Sequence, residues 1–253
     1  MLSKVKLISP DTAMSANSQS GPSLPPLLKG HACLPGIDPV SVALEGAASG
    51  SFGAGDLLWS LDTHRAAAAV VLEPEIPLEK AAVMPLVMMV AIGDALGAIG
   101  PPNLGITFRW PFTILANGAG IGEASLRFPA DADPKTTPSF IVVGFDLALE
   151  PDPSVEPGED YRHTALHLEG CGDIGAIDIL EAVARHFTAW VDTFGESGFA
   201  SAHESWMYRA DHQPDSEISE PCSGRFIGLD EDGGLLVDIS GKTRCFPLWE
   251  AAQ

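Results

Sequence analysis

The stretch richest in residues that could do chemistry is Leu104 to Phe128, LGITFRWPFTILANGAGIGEASLRF. Ile106, Phe108 and Trp110 alternate with Thr107 and Arg109, the period-2 pattern of a half-buried strand. Pro111 has no N–H to give a ladder and should end or edge that strand. Ile114 and Leu115 resume the apolar run, and Asn117-Gly118 supplies positive φ at little cost, a strong hairpin signal. The return passes Gly120 and Gly122, where a backbone without side chains could lie close to a ligand. The expectation is a two-stranded unit. Other groupings are weaker. His163 and His167 are spaced i, i+4 with Glu169 nearby and could hold a metal if helical, although a capped surface turn is the plainer reading. Asp230, Glu231 and Asp232 lack the further ligands of a calcium loop. The Gly-x-Ser-x-Gly motif of hydrolases does not occur. Trp190 and Trp206 read as core.

The elements that must position this stretch can be read in order. Residues 1–20 are polar and patternless, which predicts disorder. Leu24-Pro25-Pro26-Leu27-Leu28 predicts an extended arm on the surface, because each X-Pro bond favours extended backbone. Asp38 can cap a helix with Pro39 at its first position, running to about Ala48. Strands are expected over Asp56–Leu61 and Ala66–Glu73; four alanines would suit a helix, but the Val-Val-Leu end and Pro74 favour a strand. Pro77 opens a buried helix carrying Ala81–Ile99, with Pro85 either kinking it or delaying its start. Ser139–Leu149 is an apolar strand, followed by an acidic, Pro-rich loop. Ile179, Leu180, Val183, Phe187, Trp190 and Val191 recur at helical spacing and predict a helix over Ala176–Phe194. A second helix is expected over Ser201–Arg209, then a polar linker, then three short strands from Gly224 onward. Those strands cannot bury a core alone and must pack on the main domain.

Composition narrows the function classes. At 253 residues with a 45% apolar share, the chain can hold one main domain and a small appendage. Lys+Arg 14 against Asp+Glu 34 gives a net charge of −20. Such a field repels phosphate backbones, so nucleic acid is not the expected partner. Cys33, Cys171, Cys222 and Cys245 are scattered without a C-x-x-C and read as reduced thiols. The apolar run Ala81–Ile99 contains Pro85, Gly93 and Asp94 and reads as a buried helix, not a membrane span. No secretory signal is expected at the start, and the expected location is the cytoplasm.

Arg109-Trp110-Pro111 followed by a hairpin resembles the Lys-Trp-Pro-Asn-Asp signature of biotin protein ligases, relatives of the lipoate ligases. Asp56-Leu57-Leu58-Trp59-Ser60 resembles the family strand that precedes a Gly-Arg-Gly-Arg-Arg-Gly loop, which closes over biotin and the adenylate phosphate. Here only Thr63, His64 and Arg65 separate Leu61-Asp62 from Ala66. An alternative alignment puts Ser51–Gly55 on that loop, with no arginine at all. Phe112 and Thr113 stand where the family has Asn and Asp. The lysine of the family's Lys-x-x-Gly motif falls on Gly120 or Ala119. Ile141-Val142-Val143-Gly144 resembles the strand ending in Gly-x-Gly-Ile-Asn, with Asp146 at the second Gly and Ala148 at the Asn. GRFIGLDEDGGLLV resembles the small C-terminal barrel of bacterial biotin ligases.

The resemblance implies an α+β fold: a mixed or antiparallel sheet with helices packed on it, of the class II synthetase-like catalytic-domain type, plus a small C-terminal β-barrel-like unit. It divides the chain into a flexible arm (1–30), a ligase-like domain (31–211) and an SH3-like β domain (212–253). It implies ATP-dependent activation of biotin or a lipoyl-type acid and transfer to a lysine of a biotinyl or lipoyl carrier protein. Trp59, Arg65, Trp110, Thr113, Gly120, Gly122 and Gly144 would line the acid, with Arg109 as the catalytic cation. Adenylation needs positive charge on the attacked phosphate; no lysine lies between Lys80 and Lys135, so only Arg65, Arg109 and Arg127 could substitute. The alternative is an inactive small-acid-binding or interaction protein on the same scaffold. The octanoyltransferase relatives, which use a cysteine–lysine pair, add a further possibility at Cys171, if its glycine-flanked loop is exposed and a cation activates the thiol.

Overall fold

The structure, a computed structural model, describes residues 21–151 and 161–252. The N-terminal stretch expected to be disordered and most of the acidic loop after Glu150 lie outside the described residues. In order, the elements are β1 (Lys29–Cys33), α1 (Pro39–Ala48), β2 (Asp56–Ser60), β3 (Arg65–Leu72), α2 (Leu78–Ala81), α3 (Met84–Ile99), β4 (Ile106–Arg109), β5 (Thr113–Ala116), β6 (Ala119–Arg127) and β7 (Ile141–Ala148). Then come α4 (Ala176–Ser197), α5 (Ala200–Tyr208), β8 (Glu217–Ile218), β9 (Gly224–Leu229), β10 (Leu235–Ile239), β11 (Lys242–Phe246) and α6 (Leu248–Ala251).

A seven-stranded sheet runs β1-β2-β3-β7-β6-β5-β4. Its β1–β2 pair is parallel and the rest are antiparallel, so the sheet is mixed, as the α+β expectation requires. A four-stranded antiparallel sheet, β11-β10-β9-β8, follows; it is the small C-terminal β unit, open rather than a closed barrel. Alternation along β7 assigns the two faces of the large sheet. Ile141, Val143, Phe145 and Leu147 join the main core with α3 and α4, while Val142 joins a smaller core with Val42 and Ala43 of α1.

The helices follow from local chemistry. Asp38 caps α1 by accepting from the N–H groups of Val40 and Ser41 at 3.0 and 3.1 Å, with Pro39 in the first turn. Pro85 delays the long helix: α2 ends at Ala81, and α3 restarts at Met84 with Pro85 in its first turn, where the absent N–H breaks no bond. The Leu78–Ile99 stretch is long and apolar enough to cross a membrane, but 78% of its apolar window is buried inside the protein, which makes it a core helix.

Two expectations need correction. The stretch from Leu104 forms three strands, because the chain reverses at Trp110-Pro111 as well as at Asn117-Gly118. Both Asn117 and Gly118 have the positive φ that a tight hairpin demands. The strand β1 was not anticipated: KGHAC has no apolar alternation, and it is held by parallel pairing to β2 and by the arm before it.

Candidate functional site

Register places one residue from each strand in a row on the α1 side of the large sheet: Arg109, Thr113, Glu123, Asp146 and Ala67. Arg65 reaches into this row from the start of β3. Its Nε donates to Asp146 Oδ1 at 2.8 Å and its Nη2 lies 2.6 Å from Oδ2, a two-point clamp. That hydrogen bond with Asp146, together with the nearby charges of Asp62 and Glu123, raises the guanidinium pKa further, against the opposing effect of burial. Beside Arg65, His64 Nδ1 pairs with Glu150. One arginine therefore sits among Asp62, Glu123 and Asp146.

Three further cations are also paired. Arg109 gives Nε and Nη2 to a single oxygen of Asp211 at 3.0 and 2.6 Å. Arg127 donates to the carbonyl of Leu126. Lys80 is tied to Asp232 at 2.7 and 2.8 Å.

The glycines differ in what they permit. Gly122 has φ +156, and a Cβ there would stand 1.9 Å from the Asp146 carbonyl oxygen. The backbones of β6 and β7 can meet at that point only without a side chain. Gly144 would place a Cβ 2.4 Å from Val40 Cγ2, so its empty side is filled by α1. Gly120 is covered by the segment 162–164: its N–H donates to the Arg162 carbonyl at 2.7 Å, and its own carbonyl accepts from Thr164 N at 2.9 Å.

The structure thus brings Arg65, Thr113 and Gly144 to the α1 face of the sheet; Gly122 adjoins them in β6 but pairs with Ile114 and Leu147 of the main-core face, and the two tryptophans lie outside the group. Trp59 is buried against the main core, where a Cβ on Gly30 would lie 2.6 Å from its ring. Trp110 donates its indole N–H to the Gly233 carbonyl at 3.0 Å, linking the large sheet to the small one. Arg109 lies at the far edge, beside a cavity of about 260 Å³ between β4, α5 and the small sheet. Glu123 and Asp62 carry no motif signal, and Asp146 is legible in the motif only as a replacement of the family's second Gly, not as the partner of Arg65. Period-2 alternation from Gly144 would have placed Asp146 on this face.

The remaining chemical groupings resolve into structural roles. Cys171 is buried, and burial first, then Glu169, pushes its thiol pKa up; neither condition set for a nucleophile there, exposure and an activating cation, is met. Glu169 is occupied by Asn117 Nδ2 and Thr164 Oγ1, and His167 Nε2 lies 3.2 Å from the Ile174 carbonyl. Among the described residues no group of three or more metal-ligating side chains converges. Asp230 shapes a turn by accepting from the N–H groups of Asp232 and Gly234.

Comparison with known proteins fits this fold. The chain is 36% identical to a biotin protein ligase-like protein of unknown function from Silicibacter sp., with a TM-score of 0.84 over 92% of this chain and 99% of that one. The biotin protein ligase of Aquifex aeolicus superposes with a TM-score of 0.67 at 17% identity, over 87% and 92% of the two chains. The biotin–[acetyl-CoA-carboxylase] ligase of Paracoccus denitrificans is 26% identical over 189 residues, which is 71% of this chain and 76% of that one. A model described as the biotin/lipoate A/B protein ligase family matches residues 24–208, the whole of the large sheet with helices α1–α5, and the chain belongs to that family.

Proposed function

We propose that this protein is a ligase-family member that has kept the sheet and lost the cationic equipment for ATP-dependent acid activation. The observation that carries the reading is that Arg65 and Arg109 are each held by an aspartate, Asp146 and Asp211. Adenylation of biotin or a lipoyl-type acid builds negative charge on the α-phosphate and its leaving pyrophosphate. Removing a single donor to such charge costs about two to three orders of magnitude in rate. On this face the carboxylates of Asp62, Glu123 and Asp146 oppose both the phosphates and the acid itself. Gly122 is the glycine that close contact requires, so we read Ala119, three residues earlier, as the position of the family lysine. Thr113, Gly122 and Gly144 belong to the remnant of the acid site, and Trp110 and Gly120 have become structural.

The competing reading is an active biotin or lipoate ligase acting on a carrier lysine. It draws support from the Aquifex ligase solved in complex with biotin and ATP, which superposes with a TM-score of 0.65. In that case Mg-ATP would have to pull Arg65 and Arg109 from their aspartates. The test is direct. Purified protein is incubated with Mg-ATP and biotin or lipoate, and pyrophosphate and acyl-adenylate are measured beside an active ligase. We expect at least about a 10³-fold deficit against that ligase. Adenylate formed at a comparable rate would establish the competing reading.

A further inference from the structure

The outermost strand of the small sheet offers an open edge. β11 is the last strand in the order β11-β10-β9-β8, four of its five residues are exposed, and among the described residues no strand lies beyond it. Ile239 and Lys242 flank the two-residue turn Ser240-Gly241, whose φ values of +55 and +81 are those of the primed turn that closes a tight hairpin. The flanking pair of such a hairpin exchanges both ladder bonds, and the pairs alternate from there. Lys242, Arg244 and Phe246 therefore turn their N–H and C=O groups toward β10, while those of Thr243 and Cys245 point outward. An exposed row of this kind is a template for one more strand.

Side chains decide which strand fits. Lys242 and Arg244 are two residues apart and so share one face. Both are exposed, and neither has a carboxylate partner among the described residues, although the chain carries a net charge of −20. Arg244 lies over Phe246, its Cζ 4.6 Å from the ring centroid. That stack uses the flat side of the guanidinium and leaves its N–H groups to an acceptor. The other face carries the opposite charge: Cys245 Sγ donates to Asp230 at 3.1 Å, with Asp232 and Glu250 close enough to act on the same thiol. A second copy of β11 is a poor guest. The register that opposes Thr243 to Cys245 sets Arg244 against Arg244, and like charges directly opposite each other destabilise a sheet. The complement is a strand with carboxylates on alternate residues.

We propose that β11 is a docking edge for an extended acidic segment of a partner protein, which joins the small sheet as a fifth strand. Its backbone pairs with Thr243 and Cys245, and its alternate Glu or Asp side chains face Lys242 and Arg244. The residues between them, turned toward Asp230 and Glu250, are uncharged. The edge is no part of the acid-site remnant, so the proposal is independent of whether the large sheet activates an acid.

Fluorescein-labelled Thr-Glu-Thr-Glu-Thr-Glu-Thr is titrated into the full chain at low ionic strength and followed by anisotropy. Saturable binding in the sub-millimolar range is expected, and the same peptide with Lys for each Glu should not bind. Lys242→Glu combined with Arg244→Glu should weaken the acidic peptide by at least about tenfold, because opposite charges become like ones. Cys245→Pro removes one outward N–H at an edge position that tolerates proline. Affinity should then fall about tenfold, the worth of one hydrogen bond, with the circular dichroism unchanged. N-methylation of the peptide backbone makes the same test without altering the protein. Absence of saturable binding at millimolar concentration, equal binding of the lysine peptide, undiminished affinity in the double variant, or undiminished affinity of the N-methylated peptide would each overturn the proposal.

Discussion

Two neighbouring residues show how differently substitutions on this sheet should behave. Asp146 and Arg65 make a well-formed pair, but their side chains are 39% and 55% exposed. Ion pairs with that much water access contribute under about 1 kcal/mol. Asp146→Asn should therefore shift the urea midpoint only slightly while removing a negative charge from the candidate site. Gly122 sits on the adjoining strand. A methyl group there would have to displace the backbone carbonyl of Asp146, which cannot swing aside as a side chain can. The φ of +156 adds conformational strain for any L side chain. Gly122→Ala should cost on the order of 3 kcal/mol, read as a lowered urea midpoint. A loss smaller than that of Asp146→Asn would mean that β6 can move off β7 at this point.

At the scale of elements, β1 depends on its tie to β2. His31 Nε2 lies 2.7 Å from Asp56 Oδ1, and Gly53 N donates to Asp56 Oδ2 at 2.8 Å. Burial alone would raise the Asp56 pKa; the Gly53 bond, His31 and Lys29 outweigh it and hold the carboxyl below its ordinary value. A carboxyl with a depressed folded pKa contributes stability that is fully present above the unfolded value, near 3.9, and is lost as pH falls through the folded value. The stability gap between the native chain and Asp56→Asn should thus stay level above about pH 5 and close below about pH 4. A gap independent of pH in chemical denaturation would remove Asp56 from the acid response. The same strand marks the limit of what could be read from sequence. Capping at Asp38, the Asn117-Gly118 hairpin and the spacing of α4 are local signals, and each appears where the residues put it. In contrast, β1 exists through its neighbours. The third strand of the central unit was hidden because Pro111 marks the end of one strand without showing that the chain turns back. The site was legible by position but not by charge: Arg65 and Arg109 could be named, while Asp146 and Asp211, which occupy them, lie 81 and 102 residues away.

At the scale of the whole molecule, the two sheets share one core. Ile218, Phe226, Leu235 and Val237 of the small sheet belong to the same buried cluster as α3, as expected for strands too few to hold a core themselves. The turn between β9 and β10 is one point of engagement. Lys80–Asp232 is half exposed and contributes under about 1 kcal/mol, so what seats this turn is chiefly the packing beneath Gly233, alongside the shared core. That residue has φ +74 and lies where a Cβ would meet Leu86 Cδ1 at 2.8 Å and Leu248 Cδ2 at 2.9 Å. Its carbonyl also receives the Trp110 indole N–H. We propose that residues 212–253 form a unit that is ordered only while this seat is filled. Gly233→Val then strains the turn and pushes it off α3, and the small sheet loses more than the large one. Amides of β9 and β10 should exchange about tenfold faster for each 1.4 kcal/mol lost, ahead of any change in α3, as followed by hydrogen exchange and mass spectrometry. Equal acceleration in α3 and in β9–β10 would instead show that the shared core opens as one unit, with the Gly233 seat no weaker than the rest.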